Sequence, residues 1–159
     1  MKKKSFLSVL MMLLIVSAGI AQDSRALRAA RMSFNSAERN YSRGNYQEAA
    51  REYEIVINTI PANTDSRRHL EMRLESLIAM VDIHFYRFIN ISNACQYMHM
   101  YFENMNTIRN SGTLRASSLR DFQRKEQEFR SEHATKCDSY QNIHRDMEEF
   151  RKRFEEEFE

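Results

Sequence analysis

Apolar residues recur at steps of three and four along most of this chain. Leu27, Ala30, Phe34, Ala37 and Tyr41 fall on one face of a helix from about Ser24 to Arg43. Gly44 then offers the left-handed conformation that ends a helix without a Cβ clash. Asn45 stands where the next helix is capped, with Glu48 three residues on. This is the spacing of a capping box with Asn in the Ser/Thr place. The second helix runs to about Ile60 on the stripe Tyr46, Ala49, Tyr53, Val56 and Ile60, and Pro61 blocks its continuation. A connection of about two residues forces the two helices to lie antiparallel as neighbours.

The third helix starts near Asp65 or Ser66 and carries Leu70, Leu74, Leu77, Val81, Phe85 and Phe88 in the same rhythm, widened by Ile78 and Ile83. Asn90 to Ser92 is the next break, with Ser92 as the cap. A fourth helix presents Ala94, Cys95, Met98, Tyr101, Phe102, Met105 and Ile108, and Ser111-Gly112-Thr113 ends it. Beyond Gly112 there is no glycine or proline. Leu119, Phe122, Phe129, Tyr140, Ile143, Met147, Phe150 and Phe154 follow a rough heptad that Glu126, His133 and Lys136 interrupt. An unbroken helix over 114–159 would be about 69 Å long. The stripe is weakest at Ala134–Thr135, where a break is expected with Thr135 and Asp138 as caps; the other reading is one protruding coiled-coil arm. The acidic end, Glu155 to Glu159, reads as a solvated helix terminus.

The N-terminus stands apart. Lys2, Lys3 and Lys4 precede an apolar run from Phe6 to Val16, and Gly19-Ile20-Ala21 supplies a small-x-small site before Gln22. That is the layout of a secretory signal peptide of the bacterial kind, so residues 1–21 are expected to be removed; the alternative is a retained anchor. The run is shorter than the roughly 20 apolar residues that span a bilayer, and no cysteine marks a lipid attachment point. Without residues 1–21 the chain has 138 of its 159 residues, enough for one domain over 22–159. Its formal charge drops from +2 to −1, because three lysines and no acids leave. A nearly neutral chain offers no electrostatic case for nucleic acid. Gly44, Gly112 and Pro61 are the only breakers left, too few for a β-sandwich. The expected class is all-α: a hairpin over 26–61, a long helical hairpin over 65–111, and C-terminal helices over 113–159, in a five- or six-helix array.

Residues 37–61 resemble the tetratricopeptide repeat, through Ala37, Tyr41, Gly44, Tyr46, Ala49, Tyr53 and Pro61. Small residues stand where the paired helices touch, aromatics fill the seam, a Gly-x-aromatic turn joins them and a proline ends the second. Residues 77–108 fit as a degenerate copy. Ala94 takes the role of Ala49, Ile89-Asn90-Ile91 replaces the glycine turn, and no terminal proline follows. The resemblance implies a concave surface that holds an extended peptide or a partner helix. The groove positions it implies are Phe34, Glu38 and Tyr41, with Ile83, Tyr86 and Arg87 from the second copy. The stripe periodicity also accounts for Phe34 and Tyr41 as core residues.

Cys95 and Cys137 are the only cysteines. In an exported chain a lone pair implies a disulfide, here tying the fourth helix to the last. Free thiols are a second possibility. A third is metal: Cys95 and His99 are four apart, as are His133 and Cys137. Antiparallel packing would gather a Cys2His2 set for zinc, with Met98 and Met100 as soft ligands for copper(I). No phosphate loop, nucleophile elbow or His-Glu-His metalloprotease motif occurs. His84, amid Ile83, Phe85 and Tyr86, reads as a structural histidine. The sequence therefore points to a non-enzymatic, cofactor-free adaptor that binds a protein or peptide in the periplasm or outside the cell. The alternatives are a self-associating, chaperone-like envelope protein acting through Phe150 and Phe154, and a metal-binding protein.

Overall fold

The computed structural model describes residues 25–109, 111–139 and 145, and among them there is no strand. The expected all-α class is what is observed. The helices are α1 (residues 25–42), α2 (Tyr46–Thr59), α3 (Arg67–Asp82), α4 (Ile91–Ile108), α5 (Ala116–Glu132) and α6 (residues 134–139). A five-residue π turn, Ile83–Arg87, extends α3. The expected leader over 1–21 and the apolar positions from Tyr140 to Phe154 lie outside the described residues. The chain divides into two compact units, Met1–Pro61 and Ala62–Glu159.

In the first unit the periodic stripe is the buried one. Ala30, Ala37, Ala49 and Val56 are fully buried, and Tyr53 and Ile60 nearly so. Aromatic rings tie α1 to α2. Phe34 and Tyr41 each meet Tyr53 edge-on, at 6.3 and 6.5 Å between centroids, and Tyr41 meets Tyr46 at 5.5 Å. Edge-to-face pairs of this kind add about 0.5–1.5 kcal/mol each beyond the area they bury. The Tyr53 hydroxyl donates to Glu38 Oε1 at 2.5 Å.

The turn between α1 and α2 is a Schellman motif. Gly44, at φ +79°, donates its N–H to Tyr41 O (3.0 Å), and Asn45 donates to Asn40 O (2.9 Å). This corrects one sequence expectation. Asn45 occupies the N-cap position of α2, but its side chain makes no capping bond and no capping box forms. The box needs a free Asn45 N–H for Glu48, and the motif that ends α1 has already taken that donor. At the other end Ile60 leaves the helix in an extended conformation, ψ 117°, as the residue before a proline must.

The second unit packs α3 along α4, and α4 against α5. Leu70, Leu74, Leu77 and Val81 from α3 meet a core that Ala94, Met98, Tyr101, Met105 and Ile108 supply from α4 and Phe122 and Phe129 from α5. The third helix starts close to Ser66 as expected, and the Ser66 hydroxyl caps α3 by accepting from the His69 N–H. The cap of α4 is Asn90 rather than the expected Ser92: Asn90 Oδ1 accepts from the Asn93 N–H at 3.1 Å. Asn is as good a cap as Ser, and it is the first residue to leave the preceding turn.

Several buried polar groups inside this unit are paired. Arg73 Nε donates to Asn104 Oδ1 at 2.9 Å across the α3–α4 seam, and burial pulls the Arg73 guanidinium below its ordinary value. The Tyr101 hydroxyl donates to Phe122 O at 2.7 Å; burial, then Glu126, pushes this phenol up. Glu126 breaks the apolar stripe of α5 because Arg109 and Arg130 both reach its carboxylate, at 3.1 and 2.8 Å. The Arg130 guanidinium also lies over the Phe102 ring, 4.1 Å from its centroid.

α5 ends at Glu132 and α6 begins at residue 134, so the break expected at Ala134–Thr135 sits at His133. The expected caps Thr135 and Asp138 fall inside α6. The His133 carbonyl receives the Lys136 and Cys137 N–H groups, both at 3.0 Å. Cys137 is bonded to Cys95 with Cα atoms 5.5 Å apart, which fastens α6 to α4.

Two outcomes follow for stability. Gly44→Ala should lower it by about 1 kcal/mol, since space is open around a Cβ there and only the left-handed backbone resists. Thermal unfolding followed by circular dichroism reads this, and an unchanged midpoint would refute it. Reduction of Cys95–Cys137 should cost about 4 kcal/mol, the chain-entropy value for a loop of this length. Denaturant unfolding with and without reductant measures that loss.

Candidate interaction site

The chain leaves α3 through an irregular corner. After Asp82 the hydrogen-bond register widens: the Phe88 N–H donates to Ile83 O at 2.9 Å, a five-residue step, and the Asn90 N–H reaches His84 O at 2.8 Å. A π turn of this kind inserts one extra residue and rotates everything after it. Ile89 then adopts φ +52°, the one non-glycine residue with positive φ among the described residues. For a β-branched side chain that conformation is strained by about 1–2 kcal/mol.

The rotation has a visible result. Phe88, which the helical rhythm places on the core stripe, is 41% exposed. With Tyr86 at 53%, Ile89 at 78% and Ile91 at 37%, it belongs to a run of exposed large apolar side chains within six residues. The other exposed large apolar residues among the described ones, Met32 and Ile55, stand singly on α1 and α2. Scattered apolar residues are ordinary on a protein surface, whereas a contiguous set is the mark of a contact surface.

Buried rings hold the corner from below. His84 stacks on Tyr97 at 5.4 Å and meets the Phe88 edge at 5.4 Å, which agrees with its reading as a structural histidine. His133 stacks on Phe85 at 4.2 Å and lies edge-on to Tyr86 at 5.7 Å, with its Nε2 3.1 Å from the Tyr86 hydroxyl. The Tyr86 phenol is pushed up by burial of its hydroxyl, then by Glu132 and Asp82.

The residues implied by the repeat resemblance differ in exposure. Phe34 and Tyr41 are half-buried against α2 rings, and Glu38 is exposed while accepting from Tyr53. Ile83 is fully buried and presents no surface. Tyr86 and Arg87 are exposed on the corner itself. Phe88, Ile89 and Ile91 complete the patch and were missed. The signal that could have found them is three bulky apolar residues flanking Asn90 where a turn was required.

The disulfide expected of Cys95 and Cys137 is present. The Cys2His2 alternative is not assembled, because both sulfurs are engaged in that bond. His99 is exposed with Nε2 3.3 Å from Glu103 Oε1, while His133 is buried among rings. No cluster of three or more His, Cys, Asp or Glu able to hold a metal occurs among the described residues. A shallow recess of about 80 Å³ beside the start of α3 is lined by Thr64, Asp65, Leu70, Thr107, Ile108 and Thr113, a set that holds one carboxylate and no nucleophile–base pair.

No protein-family model, no curated protein and no solved structure matches this chain.

If Ile89 is held in strain, Ile89→Gly should raise stability by about 0.5–1 kcal/mol, because relief of the left-handed cost exceeds the added entropy of the unfolded glycine. A lowered unfolding midpoint would show that the isoleucine side chain stabilises the fold by packing.

Proposed function

We propose that this chain is an exported helical adaptor that holds another protein, with the apolar corner from Tyr86 to Ile91 as its principal contact. The observation that carries this is Ile89. A large apolar side chain is 78% exposed on a backbone at φ +52°, where glycine would be the cheaper choice. Strain and exposure together oppose the folded state unless a partner covers the side chain.

The repeat-like reading draws support from the backbone. Gly44-Asn45, followed by Ala49, and Ile89-Asn90, followed by Ala94, stand at the same spacing. Each has a residue at positive φ, then an asparagine at the N-cap, then a fully buried alanine. The shared spacing supports reading residues 77–108 as a second, degenerate copy. Export is supported by the leader-like start and by the disulfide, a bond that persists in oxidising compartments.

The test is site-specific crosslinking from position 89 in the exported protein, with affinities measured for whichever protein is captured. Ile89→Asp and Phe88→Asp should each weaken that complex by about 2 kcal/mol, as expected of an anchor residue. Met32→Asp, an exposed apolar position on α1, should leave it intact. Equal loss in all three variants, or a crosslink formed only to a second copy of this chain, would overturn the adaptor reading.

A further inference from the structure

We propose that His133 is a pH-operated latch: as a neutral ring it holds Tyr86 and the π turn in place, and on protonation it releases the corner from Tyr86 to Ile91. The ring is 3% exposed, and its Nδ1 is buried without a hydrogen-bond partner. The face of Phe85, the edge of Tyr86 and the tilted ring of Phe129 surround it. A neutral imidazole needs one donor and one acceptor satisfied, and Tyr86 meets one of these needs. An imidazolium has two N–H donors, and among the described residues the Tyr86 oxygen is the one acceptor within hydrogen-bond reach. The second would be a charged donor in an apolar shell, which is costly.

The charges around the ring come from every side. Glu132 Oε2 lies 3.8 Å from Nε2 and favours protonation, but its side chain is 53% exposed and water weakens its pull. Glu128 acts in the same sense and is bridged to Lys125. Lys136 on α6 and Lys125 on α5 act against protonation. From the α3 side come the Tyr86 phenol and Asp82, the latter acting on that phenol. Cys95 on α4 is locked in the disulfide with Cys137 and does not titrate. Burial is the largest influence, and it sets the ring below the ordinary histidine value of 6.5.

The sign follows from proton linkage. Above the ordinary value neither the closed nor the released form binds the proton, and the closed form keeps its full stability. As the pH falls from 6.5 towards the depressed value, only the released form binds it, so the closed form loses ground. The strain is relieved on one side. The His133 backbone is fastened through Phe129 O, through the Lys136 and Cys137 amides, and through the disulfide. The π turn opposite carries a strained Ile89 and an exposed flank, so it yields first.

The experiment is residue-resolved hydrogen exchange on the full chain with its disulfide intact, between about pH 7.5 and about pH 5, corrected for the intrinsic pH dependence of exchange. Protection of the Phe88 and Asn90 amides should fall by up to about tenfold per pH unit, the limit for one proton. Amides in the middle of α4 should keep theirs. His133→Phe, which cannot titrate, and His133→Gln, which keeps an acceptor for Tyr86, should both make the corner insensitive to pH. Flat protection in the unsubstituted chain overturns the proposal. So does the same pH dependence in both variants, or a loss in α4 that keeps step with the corner. The readout concerns this chain alone, so its failure leaves the adaptor reading standing, and failure of the adaptor reading leaves the latch standing.

Discussion

Two of this protein's short helix-to-helix turns place one residue at positive φ, and they do so with opposite chemistry. At Gly44 the conformation costs little, because no Cβ opposes it, and the Schellman bonds close over the end of α1. At Ile89 the same backbone is imposed on a β-branched residue. What imposes it is the neighbouring structure: the π turn with its bonds to Ile83 and His84, the Asn90 cap, and the stacked rings of His84 and Phe85. Strain at one residue is sustained because several interactions around it are satisfied together.

Much of the architecture was legible in the sequence because it rests on periodicity. Ala37, Ala49, Tyr53, Leu74, Leu77, Met98, Tyr101 and Met105 are buried where a 3.6-residue rhythm puts them. Gly44, Pro61 and Ser66 mark helix ends through backbone chemistry that belongs to single residue types. The disulfide was the first of three readings that the cysteine count and the leader-like start offered. The register change after Asp82 was not legible. No glycine or proline announces it, and the rhythm continues across it on paper, so Phe88 was counted into the core and Ser92 was given the cap of Asn90. Glu126 read as an interruption because its two arginines come from different elements, one of them α5 itself.

The candidate site was half visible. Tyr86 and Arg87 came from the degenerate repeat copy and do lie on the exposed corner. Ile83 came from the same alignment and is buried, since a repeat template assumes an unbroken α-helical register there. Phe34, Glu38 and Tyr41 are occupied with the second helix of their own hairpin. The bulky residues around Asn90 were a compositional signal, but the positive φ at Ile89 leaves no trace in a hydrophobic pattern.

The bond between Cys95 and Cys137 also sets the covalent topology of the second unit. It makes residues 95–137 a closed ring that contains nearly all of α4, the Gly112 loop and the whole of α5. A protease that cuts once in the exposed stretch around Gly112 would open the ring without dividing the molecule. Both pieces would migrate together on a denaturing gel until a thiol was added, so in an oxidising compartment this unit can be nicked and still remain one particle.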